Sequence, residues 1–221
     1  MPLRAPLLDV DGLLRGEGLH AVGGGRPPLG RLAATIALGA MLNGAVMGSF
    51  GGHGLQAAYS ALKMPALLVL AALLCWPNFW VVNRVLGLGA DFAAATRALL
   101  SAQATLAVTL AALAPVTAFF HASTESYEFV KLLHFAVFGV ASLAAQRTLA
   151  RHYRPLLARD RRHRVALLAW PTLYFFVAGQ MAYALRPFLG NPRLPTTFLR
   201  DPWWGNVYVD LGWAVRGALG F

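Results

Sequence analysis

Residues 99–120 read LLSAQATLAVTLAALAPVTAFF, twenty-two positions without a charge. Coiled as an α-helix at ~1.5 Å per residue, such a stretch crosses the ~30 Å hydrocarbon core of a bilayer. Lipid offers no water to pair backbone N–H and C=O groups, so a spanning segment satisfies them internally as a helix. A barrel strand would instead alternate apolar and polar residues over about ten positions. This stretch is continuously apolar, and the barrel reading fails.

Three more stretches read the same way. Residues 32–50 are uncharged, with Asn43 as the main polar group. Residues 64–82 are uncharged and contain Pro65 and Pro77; residues 165–185 lie uncharged between Arg164 and Arg186. A further run is weaker, with only fifteen uncharged residues between Lys131 and Arg147. It reaches spanning length as 129–150 if those two side chains extend to the interface. The sequence predicts an all-α fold: a polytopic transmembrane helix bundle of about five spans, at 32–50, 64–82, 99–120, 129–150 and 165–185. Pro77 and Pro115 each remove a backbone donor and are expected to kink their helices.

Composition agrees. Hydrophobic residues make up 57% and charged residues 13% of the chain, against about 45–50% and 25% in soluble domains. So few charges would leave a soluble surface uncovered, whereas lipid solvates an apolar exterior. The net charge of +10 raises the possibility of nucleic acid, but the basic residues cluster between apolar runs, as membrane orientation requires. No nucleic-acid partner is expected. The single cysteine, Cys75, lies inside an apolar run and reads as a small buried hydrophobe. Residues 1–28 hold no apolar core of signal-peptide length, so the first run is expected to insert and stay.

The basic residues orient the bundle. Seven arginines, at 147, 151, 154, 159, 161, 162 and 164, fall in one stretch read as a loop. Such a loop belongs on the cytoplasmic side. Five spans place Arg4, Arg15, Arg26 and Arg31 on that side, together with Arg84 and Arg97, thirteen in all. Six basic residues remain opposite: Lys63, Lys131, Arg186, Arg193, Arg200 and Arg216. The N-terminus is therefore expected inside and the C-terminus outside. Residues 1–28, with Gly23-Gly24-Gly25 and Pro27-Pro28, read as a flexible cytoplasmic segment. Residues 29–187 form the membrane domain. Residues 188–221 form an outer tail, in which Trp204, Tyr208, Leu211, Val215 and Leu219 would share the apolar face of an interfacial helix.

Three groups of residues are functional candidates. Ala40, Gly44, Gly48 and Gly52 recur every four residues and form a stripe on which helices can approach closely. It serves packing within the bundle or contact with a second copy or a partner, and Asn43 beside it could bond across helices. Asn43, Asn78, Gln103, His134 and Gln180 are the candidates for a polar path. Arg151, Arg154, Arg159, Arg161, Arg162 and Arg164 could meet anionic lipid headgroups, at about 1 kcal/mol each near the surface. No carboxylate falls within an apolar run, which argues against proton coupling. No two histidines stand three or four apart and no cysteine pair exists, so no metal or cofactor is expected. His121, Glu125 and Glu128 share helical spacing, which reads first as a solvated polar loop. No nucleophile elbow or catalytic dyad is present, and no enzymatic activity is expected.

Lys63-Met64-Pro65, leading to Cys75-Trp76-Pro77-Asn78-Phe79, resembles bacterial relatives of the Yip family of Rab-interacting membrane proteins. The plan of five clustered spans with the N-terminus in and the C-terminus out is also similar. The likeness covers roughly residues 29–187, and the tyrosine-containing motifs of eukaryotic members have no match here. It implies a non-catalytic scaffold or adaptor in a bacterial inner membrane, without Rab binding. Leu13-Leu14 followed by Gly18-Leu19-His20-Ala21-Val22 loosely resembles the Wiskott–Aldrich homology actin-binding motif, with His20 and Ala21 in place of its basic pair. The expected role is therefore a scaffold, an adaptor or a subunit of a membrane assembly. The alternative is a small transporter or channel component.

Overall fold

A computed structural model of the chain describes residues 4–15, 29–52, 54–191, 194–201 and 205–209. Six helices follow one another: α1 (Arg4–Arg15), α2 (Leu29–Ser49), α3 (Gly54–Val85), α4 (Phe92–Ser123), α5 (Tyr127–Arg159) and α6 (His163–Ala184), with a short 3-10 turn at Gly89–Asp91 before α4. Among the described residues there is no strand. Helices α2 to α6 are all long and apolar enough to cross a membrane. The protein is an all-α bundle with five such helices, and each expected run falls on one of them, 32–50 and 165–185 overrunning α2 and α6 by one residue.

The run between Lys131 and Arg147 is the clearest test of that reading. It sits inside α5, a helix of 33 residues. At ~1.5 Å per residue α5 is about 50 Å long, well beyond the hydrocarbon thickness. Ser126 caps its start by accepting the Phe129 N–H at 3.3 Å, and Glu128 pairs with Lys131 at 2.6 Å one turn on.

The stretch from Arg147 to Arg164, expected to be a loop, is mostly helical. Arg147, Arg151, Arg154 and Arg159 ride on the last turns of α5, Arg164 on the first turn of α6, and only residues 160–162 join them. The cause is an apolar face that continues past Arg147: Leu149, Tyr153 and Leu156 recur at helical spacing and are all buried. The N-terminal segment also departs from expectation. Its residues 4–15 form α1, whose Leu13 is buried in the common core. Arg151 on α5 donates to the carbonyls of Arg15, at 2.8 Å, and Leu14, at 3.4 Å, which fixes the end of that helix. The Gly- and Pro-rich linker and the likeness at residues 18–22 lie outside the described residues. So does most of the tail helix, of which Tyr208 alone among its five face residues is described.

Packing order explains the rest. Helix α2 packs against α3 and α4, α5 packs on α4, α6 packs on α3, and α5 and α6 meet each other more sparsely, which closes the ring. Helix α4 carries the largest buried share of the five. Its buried side includes Ala95, Ala98, Ala102, Ala104, Ala107 and Ala114. Small side chains let neighbouring backbones close in where lipid provides no hydrophobic drive between helices. Helices α3, α4, α5 and α6 run unbroken through Pro65, Pro77, Pro115, Pro155 and Pro171. The helix ends form two polar layers. One, called here the basic end, holds the α3–α4 and α5–α6 connections; the other holds residues 49–54, 123–127 and 185–191.

Candidate functional site

The glycine stripe is spent inside the chain. Ala40 is buried, and Gly44 and Gly48 face the backbone of α3. A Cβ on Gly44 would strike the Ser60 carbonyl and lie 2.8 Å from Met64 Cγ. One on Gly48 would strike the Gln56 carbonyl and lie 2.7 Å from Ala57 Cα. Gly52 stands past the helix in the α2–α3 turn at φ +79°, a conformation that favours glycine. Gly39, outside the stripe, meets α4 instead: its Cβ would sit 2.7 Å from the Ala107 carbonyl oxygen. The position was missed because it breaks the four-residue spacing.

The close α2–α3 contact continues into a polar face of α3. Gln56, Ser60 and Lys63 stand at helical spacing and are all buried, Lys63 at 1% exposure. They hold the segment that follows α6. Gln56 Nε2 and Lys63 Nζ each donate to the Pro187 carbonyl at 2.9 Å, and Ser60 Oγ donates to the Phe188 carbonyl at 2.5 Å. The ammonium also lies 4.7 Å from the Phe198 ring centroid and 5.9 Å from that of Phe188. Among the described residues no carboxylate is within ion-pair distance of it. A carbonyl and two π faces offset the cost of burying this charge. Tyr59 meets Phe198 edge-on at 5.1 Å, and the Arg200 N–H returns to the Arg186 carbonyl at 3.1 Å. Residues 186–191 and 194–200 are thereby strapped over the first turns of α3. The sequence placed Lys63 in a charge count and in the Lys63-Met64-Pro65 segment, but not in a site; its signal was a lysine opening an apolar run.

A second cluster lies at the same end. His121 of α4 and His134 of α5 approach through their Nε2 atoms at 3.2 Å. One nitrogen donates and the other accepts. Phe50 packs edge-on against His121 at 5.2 Å. Among the described residues the Nδ1 atom of His134 has no hydrogen-bond partner. Among the described residues there is no group of three or more metal-ligand side chains, and Glu128 is engaged by Lys131.

The five candidate path residues separate. Asn78 is exposed and donates to the Leu74 carbonyl of its own helix at 3.4 Å. His134 meets His121. Gln180 holds the tail, donating to the Gly205 carbonyl and accepting the Val207 N–H at 3.1 Å. Asn43 is buried, and the expected bond across helices is not formed: neither its Nδ2 nor its Oδ1 has a partner within the chain. Gln103 is buried with its Oε1 likewise unpartnered. No hydrogen bond among the described residues joins two of the five.

The basic end is organised by an aspartate. Asp91, just before α4, receives Arg159 Nη1 at 3.2 Å and lies 3.2 Å from Nε2 of His163, a ring with no exposure at all. Tyr153 packs on that ring at 6.2 Å. Asp160 takes the Arg162 backbone N–H at 2.8 Å and its guanidinium at 2.7 Å. The side-chain hydrogen bond from Arg162, then the backbone one, holds the Asp160 carboxyl below the usual carboxylate range. Three of the six candidate headgroup arginines are thus occupied within the protein as well, Arg151 with α1, Arg159 with Asp91 and Arg162 with Asp160. Arg154, Arg161 and Arg164 are exposed and carry no partner among the described residues. Comparison with protein-family models, with curated proteins and with solved structures returns no match.

Proposed function

We propose that the protein is a non-catalytic scaffold or adaptor of a bacterial inner membrane, acting as a subunit of a larger assembly. In this reading the N-terminus and basic end face the cytoplasm, and the strap of residues 186–200 faces outward. The observation that carries it is the division of polar groups. Inside the bundle, Lys63, Gln56, Ser60 and Gln180 are consumed in fastening the chain to itself. At the basic end Arg154, Arg161 and Arg164 stay exposed and unpaired, available to acidic headgroups or an acidic partner.

Purification of the full chain from its native membrane in mild detergent tests this. A partner should co-elute at fixed stoichiometry, and Arg154→Glu with Arg161→Glu and Arg164→Glu should release it. A chain that runs as a bare monomer from every mild extraction would overturn the proposal. The rival reading, a small transporter or channel component, draws on the Asn43 amide and the Gln103 Oε1, which have no partner among the described residues and stand on the adjacent helices α2 and α4. It requires solute or ion flux in liposomes containing the protein alone, whereas the scaffold reading expects none.

A further inference from the structure

The histidine pair opposite the basic end draws on three helices. His121 stands on the last turn of α4 and His134 two turns into α5, with residues 124–126 joining the two helices. The Nε2 atoms face each other at 3.2 Å, and the ring centroids are 5.3 Å apart. His121 also hydrogen-bonds the backbone of Val46 on α2, and Phe50 packs edge-on against the same ring. His134 is 4% exposed, whereas His121 is only half-buried, so solvent reaches the pair from the His121 side. Packing and hydrogen bonding therefore hold both rings in position, as a binding site requires.

Two imidazole nitrogens at this separation suit one class of ligand. Tetrahedral zinc holds nitrogen at about 2.0–2.1 Å, which sets two such ligands about 3.3–3.4 Å apart. A square-planar neighbouring pair at the same bond length would stand only about 2.8–3.0 Å apart. The observed 3.2 Å lies nearer the tetrahedral edge, and a shift of about 0.1–0.2 Å reaches it. Ligand type agrees. Ca²⁺ and Mg²⁺ take oxygen, whereas neutral imidazole suits zinc. Without metal, one Nε2 carries the proton shared by the pair. Zinc takes the lone pairs of both Nε2 atoms, so that proton moves through solvent to Nδ1 of its own ring, which stays neutral. On His134 that atom has no partner among the described residues and is available for it. Two protein ligands leave two positions to water, which makes the site exchangeable rather than structural. The spacing of histidines along the sequence could not reveal it, because the two ligands meet across helices.

We propose that His121 and His134 form a zinc site that clips α4 to α5 at the end opposite the basic end, with water completing the shell. The site stands whether or not the chain is a scaffold. The full chain, carrying no added histidine tag and solubilised in mild detergent, is titrated with Zn²⁺ by calorimetry and melted at several zinc concentrations. The expected result is uptake of one Zn²⁺ per chain and a melting temperature that rises with zinc. Mg²⁺ and Ca²⁺ at the same concentrations should do neither. His121→Asn and His134→Asn should each weaken zinc binding by about tenfold or more, since losing an outer-shell partner alone costs about 10–100-fold. Each should also abolish the zinc-dependent rise in melting temperature. His20→Gln combined with His152→Gln should bind zinc as the unmodified chain does. Helix content and elution volume verify folding, and His121→Asn, at the half-buried position, serves as the test if the buried replacement misfolds. Absence of zinc uptake by the unmodified chain would overturn the proposal. So would unchanged uptake in a folded His121→Asn chain, or loss of uptake in the His20 and His152 variant.

Discussion

At Lys63 the charge and the hydrocarbon stem do different things, and substitution separates them. Lys63→Met keeps the stem among Phe188 and Phe198 and removes the charge. Gln56 still donates to the Pro187 carbonyl, so no acceptor is stranded. Replacing a buried charge by a similar apolar volume is often close to neutral, and the expected change is within about 1 kcal/mol. Lys63→Ala empties the site and should cost about 2–4 kcal/mol, as large-to-small changes in packed interiors do. Unfolding in mixed micelles measures both; equal losses would mean that the ammonium, not the packing, secures the strap. The same measurement ranks the glycines. Gly44→Val must push a side chain into the Ser60 carbonyl and Met64, at about 1–3 kcal/mol or more. Gly30→Val meets nothing within 4 Å and should be neutral or slightly stabilising, within about 0.5 kcal/mol, because valine is the better helix former of the two.

At the scale of elements, the sequence could reveal what repeats along one helix but not what meets across two. A lipid environment forces a long uncharged run to be a helix, so the positions of α2 to α6 were legible. The stripe of Ala40, Gly44 and Gly48 was legible as a packing face because its period lies within α2. That α3 is its partner was not, since spacing names no neighbour. His121 and His134 are thirteen positions apart, and Lys63 and Pro187 are 124 apart, so periodicity never pairs them. The arginine-rich stretch was misread because charges were counted while the buried face of Leu149, Tyr153 and Leu156 was not. The turn that ends this stretch makes a pH prediction. Asp160 has its pKa lowered in the folded protein by Arg162. Its hold on the turn is therefore complete above the ordinary carboxylate value of about 3.9 and is lost as pH falls through the lower folded value. Amide exchange at residues 161–163 should accelerate as acid is added below about pH 4. Asp160→Asn should abolish that step; an unchanged acid profile in the variant would sink the assignment. Asp91→Ala should leave the buried His163 Nε2 unpaired, at about 1–3 kcal/mol.

The whole molecule is held together at its ends as much as along its helices. The basic end joins α1, α4, α5 and α6 through Arg151, Asp91, Arg159 and His163. The opposite end joins α2, α3, α4, α5 and the strap through Phe50, Lys63, His121 and His134. Five crossings put the start of α2 and the end of α6 at opposite ends, and this odd count makes topology testable. The thirteen basic residues assigned to the N-terminal side outnumber the six opposite, and the proposed orientation takes the richer side as the inside face. In a bacterial host, a reporter active only outside the cytoplasm should be active when fused after the last residue and silent when fused before the first. The same reporter inserted at residue 161 should be silent, and inserted at residue 125 it should be active. The insertions test each connection separately, which terminal fusions do not. A silent fusion at 125 with an active one at the C-terminus would mean that α4 and α5 enter and leave on one side. The Asp91–His163 contact would still lie on one side, but α4 and α5 would no longer cross, and the five-span arrangement would fall.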